Sequence, residues 1–177
     1  LEAIDFSAAP DVDLLGDSSV ISSDAGTAPA ASDINFAAGG SVDGAFDLAV
    51  YNQDGDVSIE NVGSIVPLVD LNIIASDPAA SAAGAGNIIL TTAVLSGELN
   101  LTGENTVTAT GVSGPPSNAA SASPVVGGII SSTLGSVNLT VAAGMTGGAI
   151  SAEINAALIS TTGNINGVII EANTATA

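Results

Sequence analysis

The chain contains no lysine, arginine or histidine among its 177 residues, although it carries 18 aspartates and glutamates. Because no side chain is cationic, no salt bridge between side chains can form anywhere in the molecule. The carboxylates can be offset only by backbone N–H groups, a terminal amine, bound metal ions, dissolved salt or protonation. The fold must therefore be held together by apolar packing and hydrogen bonds.

The same absence argues against several classes of function. Nucleic-acid binding needs Lys or Arg to neutralise phosphates, so we expect no nucleic-acid partner. No apolar run reaches the roughly 18–20 residues that span a bilayer, so we expect no membrane insertion. Catalytic triads, phosphoryl transfer and zinc sites need His, Cys, Lys or Arg, none of which occurs here. We therefore predict that the protein is not an enzyme and requires no cofactor.

Alternating apolar and polar residues predict β-strands along most of the chain. Residues 45–51 place Phe46, Leu48 and Val50 on one face, and residues 136–141 alternate in the same way. With only three Phe, one Tyr and no Trp, the core must consist mainly of Ala, Val, Ile and Leu. These features predict an all-β protein.

One segment, residues 149–160, is compatible with either a strand or a helix. Ile150, Ile154 and Leu158 recur every four residues, as on a helix, but apolar and polar residues also alternate through most of the segment. We favour a strand.

A glycine followed by polar and aliphatic residues recurs without a fixed spacing. The glycines are Gly55, Gly86, Gly97, Gly135 and Gly163, which lie 31, 11, 38 and 28 residues apart. A solenoid of equal repeats requires a nearly constant period. We therefore predict an antiparallel β-sandwich or jelly-roll-like single domain with a terminal strand available for exchange, and a β-solenoid is the alternative.

Composition changes along the chain. Fourteen of the 18 acidic residues lie at or before Asp77. Low-complexity stretches at residues 77–86 and 111–124 predict surface loops within a single domain spanning residues 1–177. Residues 1–16 are predicted to form an N-terminal donor-strand extension.

Oxygen-bearing side chains alternate over nine residues and suggest a calcium site. The candidate ligands are Asn52, Asp54, Asp56, Ser58 and Glu60. Hard cations such as Ca²⁺ bind several such oxygens at about 2.3–2.6 Å. The spacing resembles the start of a DxDxDG loop, but Val57 stands where the turn glycine should be. The alternative is a hairpin turn at Asp54-Gly55 flanked by solvated acids.

Two kinds of surface feature lie within predicted strands. Asn100-Leu-Thr102 and Asn138-Leu-Thr140 are acceptor sequences for N-glycosylation if the Asn side chains face outward. Thr106, Thr108 and Thr110 form a row of hydroxyl groups that would suit an ice-binding or carbohydrate-facing surface. Ordinary exposed strand positions are the alternative for the threonines.

Apolar strands at both ends of the chain are candidates for pairing with a neighbouring copy. The residues predicted to take part are Leu1, Ile4, Phe6, Val168, Ile169 and Ile170. Addition of a strand to the open edge of another copy, repeated head to tail, would make a filament. The alternative for each end is an ordinary edge strand in its own sheet.

These observations together predict a structural subunit of an extracellular, pilus-like homopolymeric filament or surface assembly. Its partner would be the protein itself. The lack of trypsin cleavage sites and the single sulfur atom, in Met145, suit persistence outside the cell. The chain begins at Leu1 without an initiator Met, which we interpret as a mature secreted form; a trimmed chain is the alternative. The alternative functions are a monomeric cell-surface binding module of the adhesin or ice-binding type, or a hydrolase that uses two carboxylates.

Overall fold

The computed structural model describes residues 4–6, 8–9, 11–22, 33–36, 41–53, 55–76, 85–118 and 121–173. All regular secondary structure in these ranges is β-strand. The strands are β1 (Ile4–Asp5), β2 (Asp11–Asp13), β3 (Ser18–Ser22), β4 (Ile34–Phe36), β5 (Ser41–Asp43), β6 (Leu48–Asn52), β7 (Val57–Val62), β8 (Leu71–Ala75), β9 (Ile88–Val94), β10 (Glu98–Gly103), β11 (Val107–Asn118), β12 (Ser121–Ser123), β13 (Val125–Ser132), β14 (Val137–Val141), β15 (Met145–Thr146), β16 (Ala149–Ala152), β17 (Ala156–Ser160), β18 (Ile165–Asn166) and β19 (Ile169–Ala172). These ranges contain no helix that is long and apolar enough to cross a membrane.

The strands form two sheets in which neighbours run parallel. The first sheet follows the order β1-β4-β7-β9-β11-β14-β17, with β2 and β5 beside this path. The second follows β3-β6-β8-β10-β13 and continues through β15 to β18 and through β16 to β19. Each pass of the chain adds to the first sheet and then to the second. The architecture is a parallel β-solenoid, with one coil for each strand on the main path of the first sheet.

The predicted antiparallel β-sandwich or jelly roll is therefore wrong. Within the described ranges, antiparallel pairing occurs only where β12 folds back against the end of β11, and no closed barrel is found. The prediction of a terminal strand free for exchange is also wrong for the described residues, because β1 pairs with β4 and β19 pairs with β16. Side chains alternate between the two faces of a strand whether its neighbours run parallel or antiparallel, so the alternation here could not reveal how the strands pair.

Inward-facing side chains stack in rows along the solenoid axis. The row in the first sheet is Ile4, Ile34, Val57, Ile88, Val107, Val137 and Ala156. A row in the second sheet is Val20, Val50, Ile73, Leu101, Ile130, Ile150 and Ile170. The members of both rows in the middle of the molecule are almost fully buried, which stabilises each coil by roughly 25 cal/mol per Å² of apolar surface. The predicted core of small aliphatic side chains is confirmed.

Turns of different length explain why the sequence shows no regular period. Successive members of the row in the first sheet lie 30, 23, 31, 19, 30 and 19 residues apart, yet each is paired with the next. Register shifts occur within the β11–β14 and β10–β13 pairs, away from the paired residues of this row. Gly63, in the turn after β7, has a φ of +66°, and a Cβ atom there would collide with the backbone oxygen of Val94 on the next coil. Such turns need glycine because the chains of adjacent coils approach closely.

The structure also tests two of the other predictions about single segments. The ambiguous segment 149–160 is strand, as predicted, but it is divided between β16 and β17 in different sheets. The stretch 111–124, predicted as a loop, contains the end of β11 and all of β12. Most of the other predicted loop, at residues 77–86, lies outside the described residues.

Candidate functional site

A ladder of polar side chains connects successive coils where the chain enters the first sheet. We call Asp33, Asp56, Asn87 and Thr106 the first corner; each immediately precedes an inward-facing residue of the sheet. The N–H of Asp56 donates to Asp33 Oδ1 (3.0 Å), and both the N–H and Nδ2 of Asn87 donate to Asp56 Oδ1 (2.9 and 3.0 Å). Thr106 N–H in turn donates to Asn87 Oδ1 (3.0 Å). The side chains of Asp33, Asp56 and Asn87 therefore each satisfy a backbone donor of the next coil.

A second ladder occupies the equivalent position at the start of the second sheet. We call Asp17, Asp47, Asp70 and Glu98 the second corner. Asp47 N–H donates to Asp17 Oδ1 (3.2 Å), Asp70 N–H donates to Asp47 Oδ1 (3.2 Å), and Glu98 N–H donates to Asp70 Oδ1 (2.6 Å). Hydrogen bonds to an ionised acceptor are stronger than neutral ones. Backbone N–H groups thus take the place that cationic side chains hold in ordinary proteins.

A groove lined by oxygen atoms runs beside the second corner. Its polar lining includes Asp17, Asp47, Asp70, Asn72 and Asn100. Carboxylate and amide groups of this kind can accept hydrogen bonds or bind hard cations. The lining also contains the hydroxyl groups of Ser18 and Ser19, but it contains no thiol, amine or imidazole, so it lacks the histidine or lysine base that activates a serine in catalytic triads.

Asp43 is a carboxylate buried at the end of β5. Its side chain is 2% exposed, and its Oδ1 accepts hydrogen bonds from the N–H groups of Ile65 (2.8 Å) and Val66 (3.0 Å) on the next coil. Its Oδ2 is also buried and has no hydrogen-bond partner among the described residues. Asp43 therefore ties the turn after β7 to the coil before it.

Three of the described candidates for calcium binding lie on two successive strands of different sheets, and Asp56 lies between these strands. Asn52 ends β6, and its Nδ2 donates to the backbone oxygen of Asp56 (2.9 Å), while Ser58 and Glu60 belong to β7. Asp54 lies outside the described residues. In the described part of the chain, no group of three or more acidic residues is placed to hold a metal ion. Calcium binding at this segment stays a prediction.

The two sequon asparagines differ in their surroundings. Asn100 is half-buried; its Oδ1 accepts from Ile129 N–H (2.8 Å) and its Nδ2 donates to Glu98 (3.3 Å). Asn138 is exposed on the outer face of the first sheet. Glycosylation of either residue stays a prediction, and the geometry favours Asn138.

The predicted threonine row is not a uniform surface. Thr106 belongs to the first corner, whereas Thr108 and Thr110 face outward from β11. The outward row through Thr108 consists of Asp5, Asn35, Ser58, Ile89, Thr108, Asn138 and Ala157. The type of side chain in this outward row changes from one coil to the next.

The last coil leaves its apolar interior uncovered. We call residues 156–173, which include β17, β18 and β19, the terminal coil. Ile170 is 47% exposed, although Ile130 and Ile150 in the same inward row are at most 1% exposed. Ile165 is similarly 41% exposed where Met145, its neighbour in the preceding coil, is fully buried. These side chains are exposed because no described strand pairs with the outer edge of the terminal coil.

Negative charge is distributed unevenly along the axis. We call residues 4–22, which include β1, β2 and β3, the first coil. Its described residues include four aspartates, which are Asp5, Asp11, Asp13 and Asp17. The terminal coil contains only Glu171. The two ends therefore differ strongly in charge.

The residues predicted to exchange strands lie at these two ends. Ile4 belongs to β1, and the ring of Phe6 stacks on Phe36 with centroids 4.7 Å apart. Ile169 and Ile170 belong to β19, and Val168 precedes it. Leu1 lies outside the described residues. The described members are thus edge residues of their own sheets.

Comparisons with known proteins identify no family. No protein-family model matches the chain, and searches of curated proteins and of solved structures find no significant match. Conclusions about function therefore rest on the molecule's own geometry.

Sequence reasoning missed both corners, although a signal for them exists. An Asp or Asn stands directly before an aliphatic strand residue in Asp33-Ile34, Asp47-Leu48, Asp56-Val57, Asp70-Leu71 and Asn87-Ile88. This recurrence marks the entry of each coil into a sheet. It is hidden when only the glycine spacing is measured.

Proposed function

We propose that the protein is a structural subunit that assembles with copies of itself through the ends of its solenoid. The observation that carries this proposal is the uncovered terminal coil. No other described strand pairs with its outer edge, and it exposes inward aliphatic side chains whose counterparts in the middle of the molecule are buried. An open edge of this kind is a template for another chain.

A second copy is the occupant that best fits the terminal coil. If a second copy stacked on the terminal coil, its first coil could continue the apolar rows and the parallel strand pairing. Both sheets would then be extended without a change in strand direction. The pairing would be β-augmentation between copies. This replaces the donor-strand exchange expected of a sandwich with contact between whole coils.

We further propose that the assembly is extracellular and has no catalytic role. Support comes from the sequence: the chain has no site for trypsin-like proteases and a single sulfur-containing residue. The groups that could act as acids or bases are mainly carboxylates, and the aspartates of the two corners are engaged in hydrogen bonds between coils. Oxygen-rich ladders of this kind support a structural role.

A monomeric surface-binding module is the main alternative. An ice-binding or adhesive surface of the repetitive kind would need one chemical group repeated along a flat face, whereas the outward row through Thr108 varies from coil to coil. The oligomeric state separates the two functions. A binding module of this type would remain monomeric at all concentrations.

Sedimentation velocity over a concentration series, combined with electron microscopy, tests the proposal. We expect the wild-type protein to form elongated oligomers, and Ile170→Asp to raise the concentration needed for assembly by about tenfold or more, because it places a charge in the contact. Ile129→Asp is the matched control, since Ile129 is 62% exposed on the outer face of the second sheet, away from the ends. A monomeric wild-type protein, or equal effects of the two variants, would contradict the proposal.

A further inference from the structure

We infer that copies stack head to tail, with the terminal coil of one against the first coil of the next, in a register set by the rows inside the molecule. This inference rests on the proposed self-assembly and specifies its partner surface and polarity. Two observations carry it: the continuous side-chain rows and the uneven charge of the two ends.

The rows define which residues would meet. Every coil-to-coil step in the row from Ile4 to Ala156 and in the row from Val20 to Ile170 joins paired residues of parallel strands. The register shifts in the β10–β13 and β11–β14 pairs leave these row pairs intact. Repeating the same step once more places Ile4 of a second copy beside Ala156, and its Val20 beside Ile170. The half-buried Val20 and the exposed Ile170 would then become interior members of one continuous core.

Charge argues against contact between two first coils. Such a contact would bring together two sets of four aspartates, and the chain has no cationic side chain to offset them. Head-to-tail contact instead places the acidic first coil against a coil with one glutamate. Because like charges brought together oppose association, head-to-tail stacking is favoured over head-to-head stacking.

Contact between two terminal coils is less repulsive but geometrically different. In such a dimer a two-fold axis would relate the two copies. If the axis aligned each sheet of one copy with the same sheet of the other, the strands of the two copies would run in opposite directions and pair antiparallel. Successive coils within the molecule pair in parallel instead. The two-fold contact would also produce a closed dimer, whereas head-to-tail contact leaves a new open end at every step. The disposition of the ends therefore predicts an open filament.

Engineered disulfides can test both polarity and register because the native chain has no cysteine. Ile21 and Glu171 begin and end one outward row, which passes through Tyr51, Ile74, Thr102, Ser131 and Ser151. Both end residues are exposed. In a head-to-tail stack they would lie about 4.8 Å apart between Cα atoms, within the range that a disulfide requires.

We expect the double variant Ile21→Cys/Glu171→Cys to form a ladder of covalent multimers on oxidation at concentrations where the protein assembles. The matched control is Ile21→Cys/Ser151→Cys, in which the second cysteine lies one coil further away, at about 10 Å. It should remain uncrosslinked. The single variant Glu171→Cys should give no covalent dimer.

The outcomes separate this inference from the proposed function. Dimers of Glu171→Cys alone, or an uncrosslinked double variant in a sample that sedimentation shows to be assembled, would overturn the head-to-tail polarity and leave self-assembly intact. Equal crosslinking of the two double variants would overturn the register. A wild-type protein that stays monomeric throughout would overturn self-assembly and the polarity together.

Discussion

Asp43 illustrates how this molecule accommodates a buried carboxylate without a cationic partner. Its Oδ1 accepts two backbone N–H groups of the following coil, while its Oδ2 is buried without a partner in the described residues. Hydrogen bonds from backbone N–H groups compensate part of the free-energy cost of removing a carboxylate from water. Backbone donors therefore substitute here for the missing salt bridges.

Two substitutions of Asp43 should separate the contribution of its hydrogen bonds to stability from the contribution of its charge. Asp43→Ala leaves the N–H groups of Ile65 and Val66 without an acceptor, so we expect the free energy of unfolding to fall by about 2–4 kcal/mol. Asp43→Asn retains an acceptor oxygen and removes the buried charge, so the loss should be less than half as large. Chemical denaturation of both variants measures the difference. Equal losses would show that the charge itself, rather than the acceptor, matters.

The positions of the strands were easier to predict from this sequence than the way in which the strands pair. Strands such as β6, β10 and β14 were predictable because their apolar residues alternate. Their parallel pairing was not, since it depends on contacts between residues about 20 to 30 positions apart. The irregular glycine spacing pointed away from a solenoid, because the turns vary in length while the strands keep their register.

The candidate site was predictable only in part. Apolar strands were predicted at both ends as candidates for exchange, and Ile4 and Ile170 instead lie in strands at the edges of their own sheets, which was the alternative. Their exposure could not be inferred, because it depends on where the stack of coils stops. The corner ladders escaped notice since hydrogen bonds between Asp33, Asp56 and Asn87 join residues that only the coil geometry brings together.

A charge change in the first corner tests the ladder as an element. Asn87→Asp retains the acceptor for Thr106 N–H but replaces the Nδ2 donor, 3.0 Å from Asp56 Oδ1, with a second carboxylate oxygen. We expect a loss of about 1–2 kcal/mol in the free energy of unfolding at pH 7. The loss should shrink as the pH falls towards 3, because protonation of either carboxyl removes the repulsion.

Asn138→Asp is the control for this prediction. Asn138 is exposed on the same sheet, and its neighbours in the outward row are Thr108 and Ala157, so the new charge meets no carboxylate there. Its effect should be within about 0.5 kcal/mol at both pH values. Urea denaturation at pH 7 and pH 3 measures both variants, and a pH-independent loss for Asn87→Asp would refute the carboxylate ladder.

The whole molecule is a stack of coils with an acidic first coil and a weakly charged terminal coil. Assembly must bring carboxylates of different copies closer, and a net charge of −18 opposes it at neutral pH. Association should therefore strengthen as the pH falls from 8 towards about 4, where aspartate and glutamate side chains begin to protonate. Calcium or high salt should act in the same direction by neutralising or screening the charge.

Light scattering at fixed protein concentration can follow this dependence on pH. We expect the assembled fraction to be smallest at pH 8 in low salt with a chelator, and to increase on acidification or on addition of calcium or sodium chloride. The Asp5→Asn/Asp11→Asn variant, which removes two charges from the first coil, should shift the transition to higher pH. Identical assembly under all these conditions would contradict the electrostatic explanation.

Hydrogen exchange can show directly whether copies meet at the terminal coil. Amides of β17 and β19 should exchange rapidly in the monomer, since these strands lie at the edge of their sheets. In the assembled protein, exchange at these strands and at β1 and β3 should slow by about tenfold or more, while the interior strands β9 and β10 should change little. Unchanged exchange at both ends, with new protection on the outer faces of the sheets, would contradict the account.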